Sequence, residues 1–143
     1  MSLVTAEQKA KAEVYYGDAI CQEKSKFLLQ EMSLPRGLLP LEDIIEVGYI
    51  EETGYVWLIQ MKKKEHRFEK INKLVSYATE VTAYVEKFKI KKLTGVKVKE
   101  FIWLTLSEIH VDDPPTGKLT CKTPTGLFRT FPTEAFELEE DKK

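Results

Sequence analysis

The chain has 143 residues, 43% hydrophobic and 31% charged, the size and balance of one ordinary globular domain, which excludes extensive disorder. Its net charge of −1 argues against a nucleic-acid binder, and no stretch approaches the roughly 20 apolar residues of a membrane-spanning helix. The charge is unevenly spread: residues 61–99 hold 12 Lys/Arg against 4 Asp/Glu, and residues 41–60 hold 5 acids and no Lys or Arg.

The opening MSLVTAEQKAKAEVYYG has no apolar core of the kind a secretory signal needs. Thr5 followed by Gln8 is a capping-box pattern ahead of good helix formers. Gly17 and Asp18 interrupt that run, and Asp18 is placed to cap a second helix reaching about Met32, with Ile20, Phe27 and Leu28 on its packed side. Pro35 ends it, because a proline ring disfavours helical geometry at the preceding residue. Residues 34–40, LPRGLLP, bracket three leucines with prolines and a glycine and read as a buried connection.

From Ile44 the pattern becomes β. Ile45, Val47 and Tyr49 alternate with Glu46 and Gly48, and Tyr55, Trp57, Ile59 and Met61 alternate in the next run. A three-residue loop, Glu52-Thr53-Gly54, predicts a hairpin with Tyr49 opposite Trp57 and Val47 opposite Ile59. Further strands are expected over residues 75–85, with Val75, Tyr77, Val81 and Val85 on one face, and over 96–111. Within the latter, Phe101 to Leu104 is apolar on both faces, as in a central strand buried on two sides. Residues 118–122 and 127–131 complete a meander. The predicted fold is mainly β, an antiparallel barrel or sandwich of hairpins with N-terminal α-helices packed on it. It divides into a helical segment (1–33), a β domain (34–137) and a polar tail (138–143) that is frayed from Glu139 on.

A second hairpin is expected around Leu93-Thr94-Gly95, pairing residues 86–91 with 96–99. It gathers Lys87, Lys89, Lys91, Lys97 and Lys99 on one face with apolar residues on the other. Like charges opposite each other are unfavourable on a sheet, so these lysines are candidates for binding an anion: a lipid headgroup, an anionic membrane surface or an acidic protein. The alternative is a solvated face protected from edge pairing. Lys62-Lys63-Lys64 with Arg67 extends the basic stretch. Leu38, Leu39, Trp57 and Trp103 are the candidates for lining an apolar cavity, with core packing as the competing role.

Catalytic chemistry is not visible. His66 lies among charges, and His110 before Asp112-Asp113 lacks a second histidine for a metal site. Ser107 and His110 point to opposite faces of one strand. Cys121 with His110 leaves a thiol pair conceivable, but a buried cysteine is the default. No phosphate loop, dinucleotide fingerprint or hydrolase elbow occurs, and no cofactor is implied. Cys21 and Cys121 read as free thiols of a reducing compartment, hence a cytoplasmic protein, peripheral to membranes at most.

Three segments resemble a plant family catalogued as a domain of unknown function, number five-three-eight: LPRGLLP at 34–40, LTGVKVKEFIWLTLSEI at 93–109 and FPTEAF at 131–136. The segment YYGDAIC at 15–21 resembles the family's non-secreted branch. The resemblance implies a compact β fold and a distant kinship with the lipid-binding domain of bactericidal/permeability-increasing proteins. It also implies a context of growth and stress responses, and a proposed pigment-ester hydrolase activity for which no catalytic motif maps here. The function expected is a non-enzymatic binding module for a lipid or other amphipathic anion. The alternatives are a protein-interaction module and, third, the hydrolase.

Overall fold

The computed structural model describes residues 4–138; residues 139–143, where the frayed end of the polar tail was expected, lie outside them. The chain folds as α1 (Ala6–Lys11), β1 (Glu13–Tyr16), α2 (Asp18–Glu31), β2 (Ile44–Ile50), β3 (Tyr55–Gln60), β4 (Lys64–Phe68) and β5 (Lys73–Glu86). There follow β6 (Lys89–Lys99), β7 (Trp103–Thr105), β8 (Glu108–Val111), β9 (Lys118–Lys122), β10 (Phe128–Pro132) and a 3-10 turn, Thr133–Phe136. All pairings are antiparallel, in the order β1-β2-β3-β5-β6-β8-β9-β10, with β4 beside β5 and β7 beside β6. The fold is thus mainly β, as expected, but the sheet is open: among the described residues no ladder joins β10 back to β1 or β4. Side chains draw β10 and its 3-10 turn against β4 instead, through the Phe68–Phe136 ring pair at 4.8 Å and the Lys70–Glu134 ion pair at 3.6 Å.

The Thr5 capping box forms in both directions, Thr5 Oγ1 accepting from the Gln8 amide and Gln8 Oε1 from the Thr5 amide. The N-terminal segment is not wholly helical. Residues 13–16 pair with β2 as an edge strand, because alternating Val14 and Tyr15 cover the sheet's two faces. Asp18 is not the cap of α2. It lies in the first turn behind Gly17, and its Oδ1 accepts from the Ile44 amide at 2.9 Å, tying helix to sheet.

The β2–β3 hairpin exists with a register one residue from the expected one: Gly48 faces Trp57 and Val47 faces Leu58. The loop is four residues long, the Thr53 and Gly54 amides both donating to the Ile50 carbonyl. A register break between Ile44 and Glu46 leaves Ile45 exposed and buries Glu46, reversing the expected alternation there. Trp57 fills the space that Gly48 leaves; a Cβ on Gly48 would stand 2.0 Å from the indole ring. The Trp57 Nε1–H donates to buried Glu46 at 2.7 Å, and Lys9 of α1 pairs with the same carboxylate oxygen at 3.3 Å. Val4, Ile50 and Tyr55 complete this small core on the sheet's outer face.

The main core lies on the other face of the sheet. It takes Val75, Tyr77, Val81 and Val85 of β5, as their alternation predicts, together with α2 through Cys21 and Leu29. The LPRGLLP connection is buried without regular structure, its Leu38 carbonyl accepting from the Tyr77 hydroxyl at 3.0 Å. Burial pushes that hydroxyl's pKa well above the ordinary tyrosine value.

Candidate functional site

The main core is not completely filled. A cavity of about 70 Å³ remains, lined from β5, β6 and β10 among other elements. Val75, Tyr77, Val96 and Val98 line it from β5 and β6, and Leu104, Leu106, Ile109 and Cys121 from the residues around β7, β8 and β9. Leu38, Leu39, Phe68, Phe131 and Phe136 also line it. Two cations and a threonine stand among apolar residues at one edge of the lining, its mouth. Ile71 and Lys73 stand on one side of it, with Thr123, Leu127, Phe128 and Arg129 on the other.

Glu100 holds this mouth together. Its carboxylate accepts from Lys73 Nζ and, at 3.1 Å, from Arg129 Nε, so two cations share one carboxylate and the cluster keeps a net positive charge. The side chain of Glu100 is only 13% exposed, while that of Arg129 is 63% exposed. The Lys73 hydrogen bond, with the nearby Arg129 charge, holds the Glu100 carboxyl below the usual carboxylate range.

The candidate cavity residues separate in space. Leu38 and Leu39 line the cavity. Trp57 is fully buried in the outer-face cluster, and Trp103 is half-buried on β7 under the Lys99 ammonium, 5.4 Å from its ring. Phe101 and Ile102 overturn the expectation of a central strand: they are the tip of the β6–β7 hairpin, Phe101 at 101% exposure and Ile102 at 66%.

The second hairpin is also corrected. Residues 89–99 form one continuous strand, and the turn into it is Lys87-Phe88, with Glu86 opposite Lys89. The expected lysine pairs across a hairpin therefore do not exist. Leu93-Thr94-Gly95 is an irregularity within β6, with positive φ at Lys92 (51°) and Gly95 (83°). Those two extra residues restore the alternation, so Lys91, Lys97 and Lys99 still face outward while Ile90, Leu93, Val96 and Val98 face the core. Lys91 pairs with Glu86 at 2.6 Å, whereas Lys97 and Lys99 have no carboxylate partner among the described residues. The five lysines lie away from the cavity lining; the cations at the mouth, Lys73 and Arg129, went unnoticed because single basic residues carry no pattern.

The hydrolase ingredients do not assemble. Neither histidine lines the cavity. His110 Nδ1 pairs with Glu108 at 3.0 Å, and its strand neighbour across the ladder is Thr120, so Cys121 points to the opposite face. Burial pushes the Cys121 thiol up to about 12, which removes the thiolate a nucleophile needs. Both cysteines are free and buried. No cluster of three metal-ligating side chains occurs among the described residues, and no described helix is long and apolar enough to cross a membrane.

The three segments that carry the resemblance meet at this cavity. LPRGLLP contributes Leu38 and Leu39, residues 93–109 contribute Val96, Val98, Leu104, Leu106 and Ile109, and FPTEAF contributes Phe131 and Phe136. Gly37 packs so closely on the Phe136 carbonyl that a Cβ would stand 2.4 Å from its oxygen.

Among known proteins, the family described as "Protein of unknown function, DUF538" matches residues 25–137. "Uncharacterized protein At5g01610" of Arabidopsis thaliana is 31% identical over 85 residues, covering 59% of this chain. The match spans 49% of that relative, about half its length. No solved structure matches the chain.

Proposed function

The chain belongs to the family Protein of unknown function, DUF538, and from that premise we propose that it is a non-enzymatic binding module for an amphipathic anion. The single observation behind this reading is an apolar cavity opening onto the Lys73–Glu100–Arg129 cluster. The apolar end of the ligand enters among the leucines and valines of the lining, and its anionic head meets Arg129 and Lys73. The reading does not lean on kinship with the bactericidal/permeability-increasing domain; the cavity supports it directly.

Small-molecule pockets run to roughly 300–1,000 Å³, so the resting cavity admits the end of a chain, and a larger ligand requires the mouth to part. Its covering elements suit that motion. Among the described residues β10 is an edge strand paired only with β9, and the 3-10 turn is held across the gap by side chains.

The test is displacement of the fluorescent anion 1-anilinonaphthalene-8-sulfonate by dodecanoate, with dodecanol as the neutral control. Dodecanoate displaces the probe at one site. Arg129→Glu, at an exposed position, weakens dodecanoate about tenfold and dodecanol little. No displacement from the folded chain, or equal affinity in the variant, would sink the proposal.

A further inference from the structure

Two loops at the cavity end carry apolar residues that the fold does not bury. Phe101 and Ile102 form the β6–β7 tip; Leu127 and Phe128, 57% and 60% exposed, close the β9–β10 loop. Glu100, beside the first tip, binds Arg129, beside the second, so both tips belong to one end of the molecule. Single exposed apolar residues need no explanation, but four large ones gathered on two adjoining tips do.

The groups behind the tips are ordered by polarity. Next to Phe101 and Ile102 comes half-buried Trp103 with the Lys99 ammonium over its ring. Farther up the strand is outward-facing, exposed Lys97. Apolar tip, then Trp with Lys, then further cations is the sequence of chemistries from the acyl region through the headgroups of a bilayer. Glu100 is neutralised by Lys73 and Arg129, and in the adjoining turn Lys70 pairs with Glu134, leaving Arg67 beside Glu69 in the chain. The opposite end carries Glu51, Glu52, Asp112 and Asp113 in its loops. With Lys87, Lys89 and Lys118 also at that opposite end, its charge is mixed, whereas the end with the apolar tips is the more cationic one.

We infer that this end docks on an anionic bilayer, with the Phe101-Ile102 and Leu127-Phe128 tips inserted among the lipid headgroups and Lys97 and Lys99 on the phosphates. Two narrow tips ringed by cations fit a deformable anionic surface better than a flat apolar protein partner, which calls for a contiguous patch. This docking does not require the cavity to be occupied.

The experiment is sedimentation of the full chain with sucrose-loaded vesicles of phosphatidylcholine alone or mixed with phosphatidylserine. The chain partitions onto the mixed vesicles and releases with salt. Trp103 emission shifts to the blue and is quenched by acyl-chain bromine, over a constant background from Trp57, which is fully buried and out of reach of the bilayer. The double variant Phe101→Glu, Ile102→Glu lowers partition about a hundredfold, yet binds dodecanoate in solution as the native chain does. That contrast separates failure of docking from failure of the cavity reading. Lys97→Glu with Lys99→Glu lowers binding to mixed vesicles only. Native chain left in the supernatant at low salt, or equal partition of the Phe101/Ile102 variant, overturns the inference. So does a self-associating native chain that the same variant makes monomeric without any vesicle binding, which would assign the tips to a second copy.

Discussion

Replacing Glu100 by Gln tests the proposed mouth from both sides, because it destabilises the fold and strengthens the site. In the native chain the carboxylate bridges Lys73 and Arg129, joining β5 to β10 across the opening. Exposed ion pairs contribute about 0–1 kcal/mol, and breaking buried ones costs about 3–5 kcal/mol. With Glu100 mostly buried and Arg129 largely solvated, the loss falls between those limits, about 1–2 kcal/mol. Removing the negative charge leaves both cations facing the ligand head. A head bound to them stands about 6 Å from the former carboxylate; at an effective dielectric of about 40, the relieved repulsion is about 1.4 kcal/mol, or tenfold in affinity. Urea denaturation measures the first effect, and dodecanoate titration with dodecanol as control measures the second. A folded Glu100→Gln chain that binds dodecanoate no more tightly than the native chain would refute the reasoning. The pH dependence carries a matching sign. The folded-state carboxyl of Glu100 is depressed by its cations, so its stabilisation is present above the unfolded value of about 4.3 and is lost as pH falls through the folded value. Thermal unfolding of the native chain therefore declines more steeply below about pH 4.3 than that of the Gln variant.

Gly48→Ala places a methyl 2.0 Å from the Trp57 ring. Expelling the indole disturbs its bond to Glu46 as well, so a loss of about 3 kcal/mol, roughly 10 °C in Tm, is expected by calorimetry; a change under about 1 kcal/mol would show that the outer-face cluster is loosely packed. Cys121, buried and with its thiol pushed up to about 12, should resist iodoacetamide in the folded chain at pH 8 and react at once in urea. Fast labelling of the native chain would mean that the cavity wall opens readily.

Local chemistry was legible in the sequence wherever neighbours along the chain decide it. The Thr5–Gln8 capping box, the stop before Pro35, the buried LPRGLLP connection and the inward face of β5 rest on contacts within a few residues or on simple alternation, and the structure has each of them. Of the four residues weighed between a cavity and the core, Leu38 and Leu39 stand along the cavity lining and Trp57 and Trp103 do not, a division that no pattern in the chain announces. What alternation leaves open is register, since a one-residue slip exchanges the faces of a whole strand. The β2–β3 hairpin slipped in this way when its loop took four residues and Trp57 settled over Gly48.

The larger decisions were tertiary. An apolar run reads alike whether it crosses a core or turns at a tip. For Phe101 and Ile102, only the antiparallel return of β7 along β6 shows that no second layer covers them. The lysines of residues 89–99 kept a common face through two irregularities in one strand, an arrangement that periodicity cannot tell from a hairpin. The Lys73–Glu100–Arg129 cluster joins residues that are solitary in the chain and become neighbours when the sheet curls. Composition and periodicity thus determined that this chain makes a mainly β, antiparallel fold with helices near its N-terminus. Sheet curvature, a sum of small twists and bulges over many strands, decided where its interior stays open and which charges stand at its mouth.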